Sequence, residues 1–182
     1  FQYSFDKEIQ PTTIAENSTF PNSDLIAKEN IYETQLQKEF LIQADYVLPL
    51  GEAQFEAGYR GNFEENSNDF RLEQLNLQTG EFEANLGLTN VFTYNQNVNA
   101  LYTQYGNKYG KFSYLLGLRL ENTQLKGVVD ATVDLTELQE LLGSEIELDF
   151  DKNYLGLFPT LNLIYELGEK ENFSLGYNRR IN

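Results

Sequence analysis

The chain has no cysteine and no histidine among its 182 residues. Without cysteine there are no disulfides and no thiolate metal sites. Without histidine the commonest general base and the commonest metal ligand are both missing, and a Ser-His-Asp triad is excluded. Cations are scarce. Thirteen Lys and Arg stand against 28 Asp and Glu, a net charge of −15, which argues against nucleic acid as a partner, because neutralising phosphate is the main affinity term there. No run of about 18 apolar residues exists, so no transmembrane helix is expected, and no signal-peptide pattern opens the chain. No carboxylate pair has a spacing that singles out a glycosidase. A protein that is not an enzyme, with no catalytic residues, no metal and no cofactor, is therefore expected.

What the chain has is aromatic residues, 12 Tyr and 13 Phe, and alternation. Over 110–125, Phe112, Tyr114, Leu116, Leu118 and Leu120 point one way, and Ser113, Gly117, Arg119 and Glu121 the other. Period-two alternation marks a strand with different surroundings on its two faces. The pattern recurs about seven times, with candidate strands at roughly 1–5, 31–48, 53–65, 90–105, 111–125, 153–167 and 172–182. Three connections are short and rich in turn residues, at 49–52, 106–110 and 168–171. Three are long, roughly 6–30, 66–89 and 126–152. Short turns at one end and long loops at the other are the plan of an outer-membrane barrel, and three long unstructured loops are uncommon in a soluble domain of this size. The fold class expected is all-β, an antiparallel up-and-down transmembrane β-barrel, of which this chain supplies about seven strands. An aromatic-rich soluble β-sandwich is one alternative, and a soluble antiparallel barrel that binds a lipophilic ligand against an inward apolar face is another.

The strand faces carry the expectation further. Leu36, Phe40, Ile42, Ala44, Tyr46 and Leu48 oppose Glu33, Gln35, Gln37, Glu39, Gln43 and Asp45. Phe55, Ala57, Tyr59 and Phe63 oppose Gln54, Glu56, Arg60 and Asn62. In 90–105, Phe92, Tyr94, Val98, Ala100 and Tyr102 are read as the lipid-facing set, opposed by Thr93, Asn95, Asn97, Asn99 and Thr103. In 153–167 the leucines and Tyr165 oppose Thr160, Asn162 and Glu166. Tyr46, Phe55, Tyr105, Tyr109, Phe112, Tyr165 and Phe173 cluster near the short turns, and Phe63, Phe92 and Tyr154 near the long loops. Two aromatic belts are the expected marks of two membrane interfaces.

Five strings resemble a known family: LIQADYVLPL (41–50), FEAGYRGNF (55–63), YGKFSYLLGLRLENT (109–123), LGLFPTLNLIYEL (155–167) and FSLGYNRRIN (173–182). With Gly-Leu-Arg-Leu-Glu at 117–121, Leu-Phe-Pro at 157–159 and Tyr-x-Arg-Arg-Ile at 177–181, they resemble the barrel region of TonB-dependent outer-membrane receptors. The closest likeness is to the outer-membrane β-barrel family common in Bacteroidetes. The resemblance implies a receptor in the outer membrane of a Gram-negative bacterium that takes up a scarce solute, a siderophore, glycan or similar. It implies a plug domain in the same full-length protein, a TonB-type energy-coupling partner, and contact with outer-membrane lipid. The plug and the family's C-terminal strands are not in this chain, so residues 1–182 are expected to be one part of a single barrel domain, completed by strands outside it. A structural or assembly barrel without active transport is the alternative.

Asp45, Glu56, Arg60, Arg119, Glu121, Asn162, Glu166, Arg179 and Arg180 are the lumen-facing candidates. They would touch a plug or a solute, or form a ladder of ion pairs between neighbouring strands. The acidic loops are read as solvated, Ca²⁺ binding being the other possibility. Asp134-Leu-Thr-Glu137 fits a capping box, and Leu135, Leu138, Leu141 and Leu142 follow a helical period. A short amphipathic helix is expected there.

Overall fold

The computed structural model of the chain describes residues 1–18, 25–134, 136, 139–140, 149–168 and 171–179. Eight strands form one antiparallel sheet: β1 (Gln2–Asn17), β2 (Leu25–Leu50), β3 (Ala53–Leu75), β4 (Phe82–Ala84), β5 (Asn90–Tyr109), β6 (Phe112–Ala131), β7 (Phe150–Glu166) and β8 (Asn172–Asn178). Their order is β1-β2-β3-β5-β6-β7-β8, an up-and-down meander, with β1 and β8 at its two ends. The added strand is the three-residue β4, which folds back on the end of β3.

The short turns fall where the sequence puts them, but two are tighter than expected, Pro49 and Leu50 continuing β2 in the first. Gly51-Glu52 joins β2 to β3, and Gly110-Lys111 joins β5 to β6. Gly51 has φ of 69° and Gly110 of 59°, and among the described residues none other than glycine has a positive φ. A positive φ at the first of two loop residues only is the type II′ hairpin turn, whose twist matches that of the strands it joins. Residues 106–109, expected in this turn, continue β5 instead. The third turn follows β7, where Leu167 N–H and Gly168 N–H both donate to Glu171 O.

The long connections are expected as loops; 6–30 and 66–89 are largely strand, and 126–152 is strand at its two ends. β1 runs on to Asn17, β2 begins at Leu25, β3 runs to Leu75 and β6 to Ala131. The reason is visible in β3. From Glu64 to Asp69 both faces are polar, Glu65, Ser67 and Asp69 on one and Glu64, Asn66 and Asn68 on the other. Such a strand has no amphipathic signature and is held by its ladder of backbone bonds to β2 and β5. The helix expected from Asp134 falls mostly outside the described residues. Thr136, Gln139 and Glu140 are helical, and Asp134 Oδ1 accepts the Thr136 N–H at 2.8 Å, the bond of an N-cap.

β2 has 26 residues and β3 has 23. At about 3.3 Å per residue β2 is roughly 85 Å long, against a hydrocarbon core about 30 Å thick. The apolar band occupies only the end near the short turns, Phe40 to Leu50 on β2, Phe112 to Leu120 on β6 and Leu155 to Tyr165 on β7. Each of these is about 9–11 residues, the length a tilted strand needs to cross a bilayer. The sheet has almost no core of its own. Among the described residues the buried hydrophobic side chains are Ala53, Leu72 and Ala100, while Tyr46 is 60% exposed and Leu155 is 72% exposed. A water-soluble sandwich would bury these side chains, so the apolar face has a solvent other than water.

Candidate functional site: the polar face of the sheet

Residues opposite one another in an antiparallel pair share a face, so the register carries the facing from strand to strand. Phe40 lies opposite Tyr3 and Phe63, Phe55 opposite Tyr105, and Tyr105 opposite Leu116. Leu116 lies opposite Leu161, and Leu161 opposite Tyr177. This is the apolar face. Phe112, Tyr114, Leu118 and Leu120 belong to it, and Arg119 and Glu121 to the other.

Aromatic rings mark both edges of the apolar band. Near the short turns Tyr105 and Tyr114 sit 6.1 Å apart, as do Phe112 and Tyr114. At the far edge Phe40 stacks on Phe63 at 6.3 Å. One position beyond that stack on the same face, Lys38 Nζ meets Glu65 Oε1 at 2.7 Å, and Lys126 lies opposite Asp151. The hydrogen bond to Glu65, and then its charge, raise the Lys38 pKa above the ordinary lysine value. Apolar residues, a ring stack and then an ion pair, in that order along two strands, are the profile of hydrocarbon giving way to headgroups and water.

β5 departs from the sequence reading. Arg60 lies opposite Ala100, Gly58 opposite Tyr102, Asn66 opposite Tyr94 and Asn68 opposite Phe92. Phe92, Tyr94, Val98, Ala100 and Tyr102 are therefore on the polar face, and Thr93, Asn95, Asn97, Asn99 and Thr103 on the apolar one, the reverse of the expectation. Alternation alone does not say which face is which. The pairing of β5 with β3 and β6 settles it. Leu101 and Tyr105 keep the outer face of β5 apolar within the band, and the Tyr59 hydroxyl donates to Asn99 Oδ1 at 2.7 Å at the band's edge. Tyr154, opposite Thr123, is also on the polar face, so it and Phe92 are not part of the belt that holds Phe63.

Asp45, Glu56, Arg60, Arg119, Glu121, Asn162 and Glu166 all fall on the polar face, and Arg180 lies outside the described residues. Arg60, Arg119, Glu121 and Arg179, with Phe158 and Thr160, line a cavity of about 560 Å³. Arg119 pairs with Glu121 on its own strand at 2.9 Å. Glu166 pairs with Lys108 at 2.6 Å, reaching from β7 to β5 past β6. Asp45 accepts a hydrogen bond from the Tyr102 hydroxyl, reaching from β2 to β5 past β3. No ladder of ion pairs joins the candidate residues on neighbouring strands, among the described residues. Sequence reasoning missed Tyr102 and Lys108, because each meets its partner across an intervening strand and only the register reveals it.

Beyond the apolar band the mixed charges of the polar face give way to carboxylates on β1, β2 and β3. On these strands that face carries Asp6, Glu8, Glu33, Glu39 and Glu64, and no cation among the described residues of that stretch. Glu33 accepts bonds from Gln35 and Asn68 at 3.0 and 2.8 Å, and Glu64 from Gln37 and Asn66 at 3.1 and 2.8 Å. Burial, and then the Glu64 charge, push the Tyr94 phenol pKa up. No group of three side chains among the described residues converges to hold a metal ion.

Residues 1–182 match the model of the outer membrane protein beta-barrel family over their whole length. No curated protein matches the chain.

Proposed function

We propose that this chain, which belongs to the outer membrane protein beta-barrel family and lies in the outer membrane, forms part of the wall of a receptor that moves a solute across that membrane with energy from a TonB-type partner. One observation carries the reading. At the level of the apolar band the opposite face bears Asp45, Glu56, Arg60, Arg119 and Glu121, and Arg60 and Arg119 stand around an open cavity. Charges at bilayer depth belong beside water or a polar partner, so this face lines an aqueous lumen or meets a plug domain of the same protein. A barrel serving only as scaffold has less need of such a wall. Membership of the family, which places the apolar band in lipid, sets aside the soluble ligand-binding barrel.

The test uses the full-length protein. Expected outcomes are capture by the purified periplasmic domain of a TonB-type protein, and uptake of at least one solute from a panel of ferric chelates and labelled oligosaccharides only in cells that carry that partner. A folded protein that binds no such domain and confers no uptake is a structural barrel, and the reading fails.

A further inference from the structure

β5 puts Phe92 and Tyr94 on the polar face, opposite Asn68 and Asn66 of β3. They line a groove of about 350 Å³ with Gln35, Gln37, Asn66 and Asn68, and with Asp6 and Glu8 at its β1 side. The groove lies beyond the apolar band, on the side away from the short turns. A third ring joins from two strands away. Phe150 lies opposite Gly127, and Gly127 opposite Tyr94. With no side chain on Gly127, the Phe150 ring covers it and comes within 6.3 Å of the Tyr94 ring. Three rings thus form a shelf on this face, and Lys152 Nζ lies 5.3 Å from the centre of the Phe150 ring.

We propose that this shelf and the amides beside it bind a neutral saccharide. The inference rests on the receptor reading and names the class of its solute. A pyranose has an apolar C–H face and a rim of hydroxyls. The C–H face suits an aromatic shelf. Each hydroxyl both donates and accepts, as does each carboxamide, so Gln35, Gln37, Asn66 and Asn68 match the rim in kind. Asn68 Nδ2 donates to Glu33, and its Oδ1, buried in this structure, has no hydrogen-bond partner there. Asp6, Glu8, Glu33 and Glu64 outnumber Lys152, which flanks the Phe150 ring, and set a field that disfavours anionic ligands. The groove's volume is in the range of small-molecule sites.

The test is calorimetric titration of the full-length protein in detergent with neutral malto-, cello- and xylo-hexaose and with anionic hexagalacturonate. At least one neutral hexaose is expected to bind, and hexagalacturonate at least about tenfold more weakly. Tyr94→Ala and Phe92→Ala should each weaken binding about tenfold, with Asn68→Leu weaker than the parent and Tyr177→Ala, on the lipid face, unchanged. Heat-modifiable gel mobility confirms that each variant is folded. No binding of any neutral hexaose to the folded parent overturns the proposal, as does binding that Tyr94→Ala leaves unchanged, or hexagalacturonate binding as tightly as the neutral sugars. If the TonB-type domain still captures the protein and a solute of another class is taken up, only the saccharide assignment falls. If a hexaose binds but no TonB-type domain is captured and nothing is taken up, the receptor reading falls.

Discussion

The Tyr102 hydroxyl donates to Asp45 Oδ1 across Gly58, tying β5 to β2 over the strand between them. The contact exists because residue 58 has no side chain. A methyl group there would sit 2.7 Å from Asp45 Oδ1 and inside the Tyr102 ring. Gly58→Ala is therefore expected to cost about 1–3 kcal/mol through overpacking. Tyr102→Phe should cost about 1 kcal/mol, below the usual range for a bond to a charged acceptor because Asp45 is open to water. Urea titrations of refolding into liposomes measure both. In Tyr102→Phe/Asp45→Asn, the two changes should add to less than their sum.

Facing is tested by an arginine placed on either side of the wall. Leu118→Arg puts a guanidinium into hydrocarbon and should cost about 2–4 kcal/mol near the bilayer midplane. Gln104→Arg, one position away in register and on the polar face beside Glu56, should cost far less. Equal costs in the same titration would mean that the faces are assigned the wrong way round.

The Lys38–Glu65 pair supplies a pH dependence with a definite sign. The Lys38 pKa is raised in the folded protein, so the pair's contribution is fully present below the ordinary lysine pKa and is lost as pH rises through the raised one. Lys38→Gln should differ from the parent in stability near neutral pH and converge with it in strong alkali. Added salt should narrow the gap at neutral pH, because the pair is exposed to solvent.

The strand extensions predict a pattern of amide exchange. Residues 64–72 of β3 have ladder partners on both sides, in β2 and either in β5 or at the turn after β4. Their amides should exchange slowly, although no lipid covers them. Rapid exchange over 64–72, with slow exchange over 55–63, would restore the loop that the sequence suggested.

The hairpin turns predict a local penalty. Gly110→Ala places a Cβ on a residue with φ of 59° and should cost about 1 kcal/mol or more. Lys111→Ala, in the same turn with no positive φ, should cost little. Both are read from the same refolding titration.

The sequence was most legible where lipid imposes a rule. On β2, β6 and β7 the hydrocarbon demands every second residue, and Arg119 and Glu121 fall on the polar face because Leu118 and Leu120 flank them on the other. It was least legible beyond the band, where water on both faces removes the period and β3 from Glu64 onward reads as loop. β5 lay between these cases. Its alternation was plain, but both of its faces are mixed, Tyr102 and Ala100 against Thr103 and Leu101, so the choice of face came from Arg60 and Glu121 on either side of Ala100. The arginine cavity was half legible, since its members were named but their convergence depends on three registers.

That mixed character has a consequence for how the wall is built. A strand with one greasy side can find its orientation by partitioning, before any neighbour is present. β5 cannot, because Asn97 and Asn99 on one side weigh against Val98 and Ala100 on the other. Its orientation must be handed to it by the tight Gly110-Lys111 turn and by β6, which partitions strongly. During insertion β5 and β6 should therefore travel as a single hairpin, with β6 as pilot and β5 as passenger. A loosened turn at Gly110 would then release a strand able to enter the sheet one residue out of step. That slip would bury the asparagines in the lumen and present Tyr94 and Phe92 to the outside.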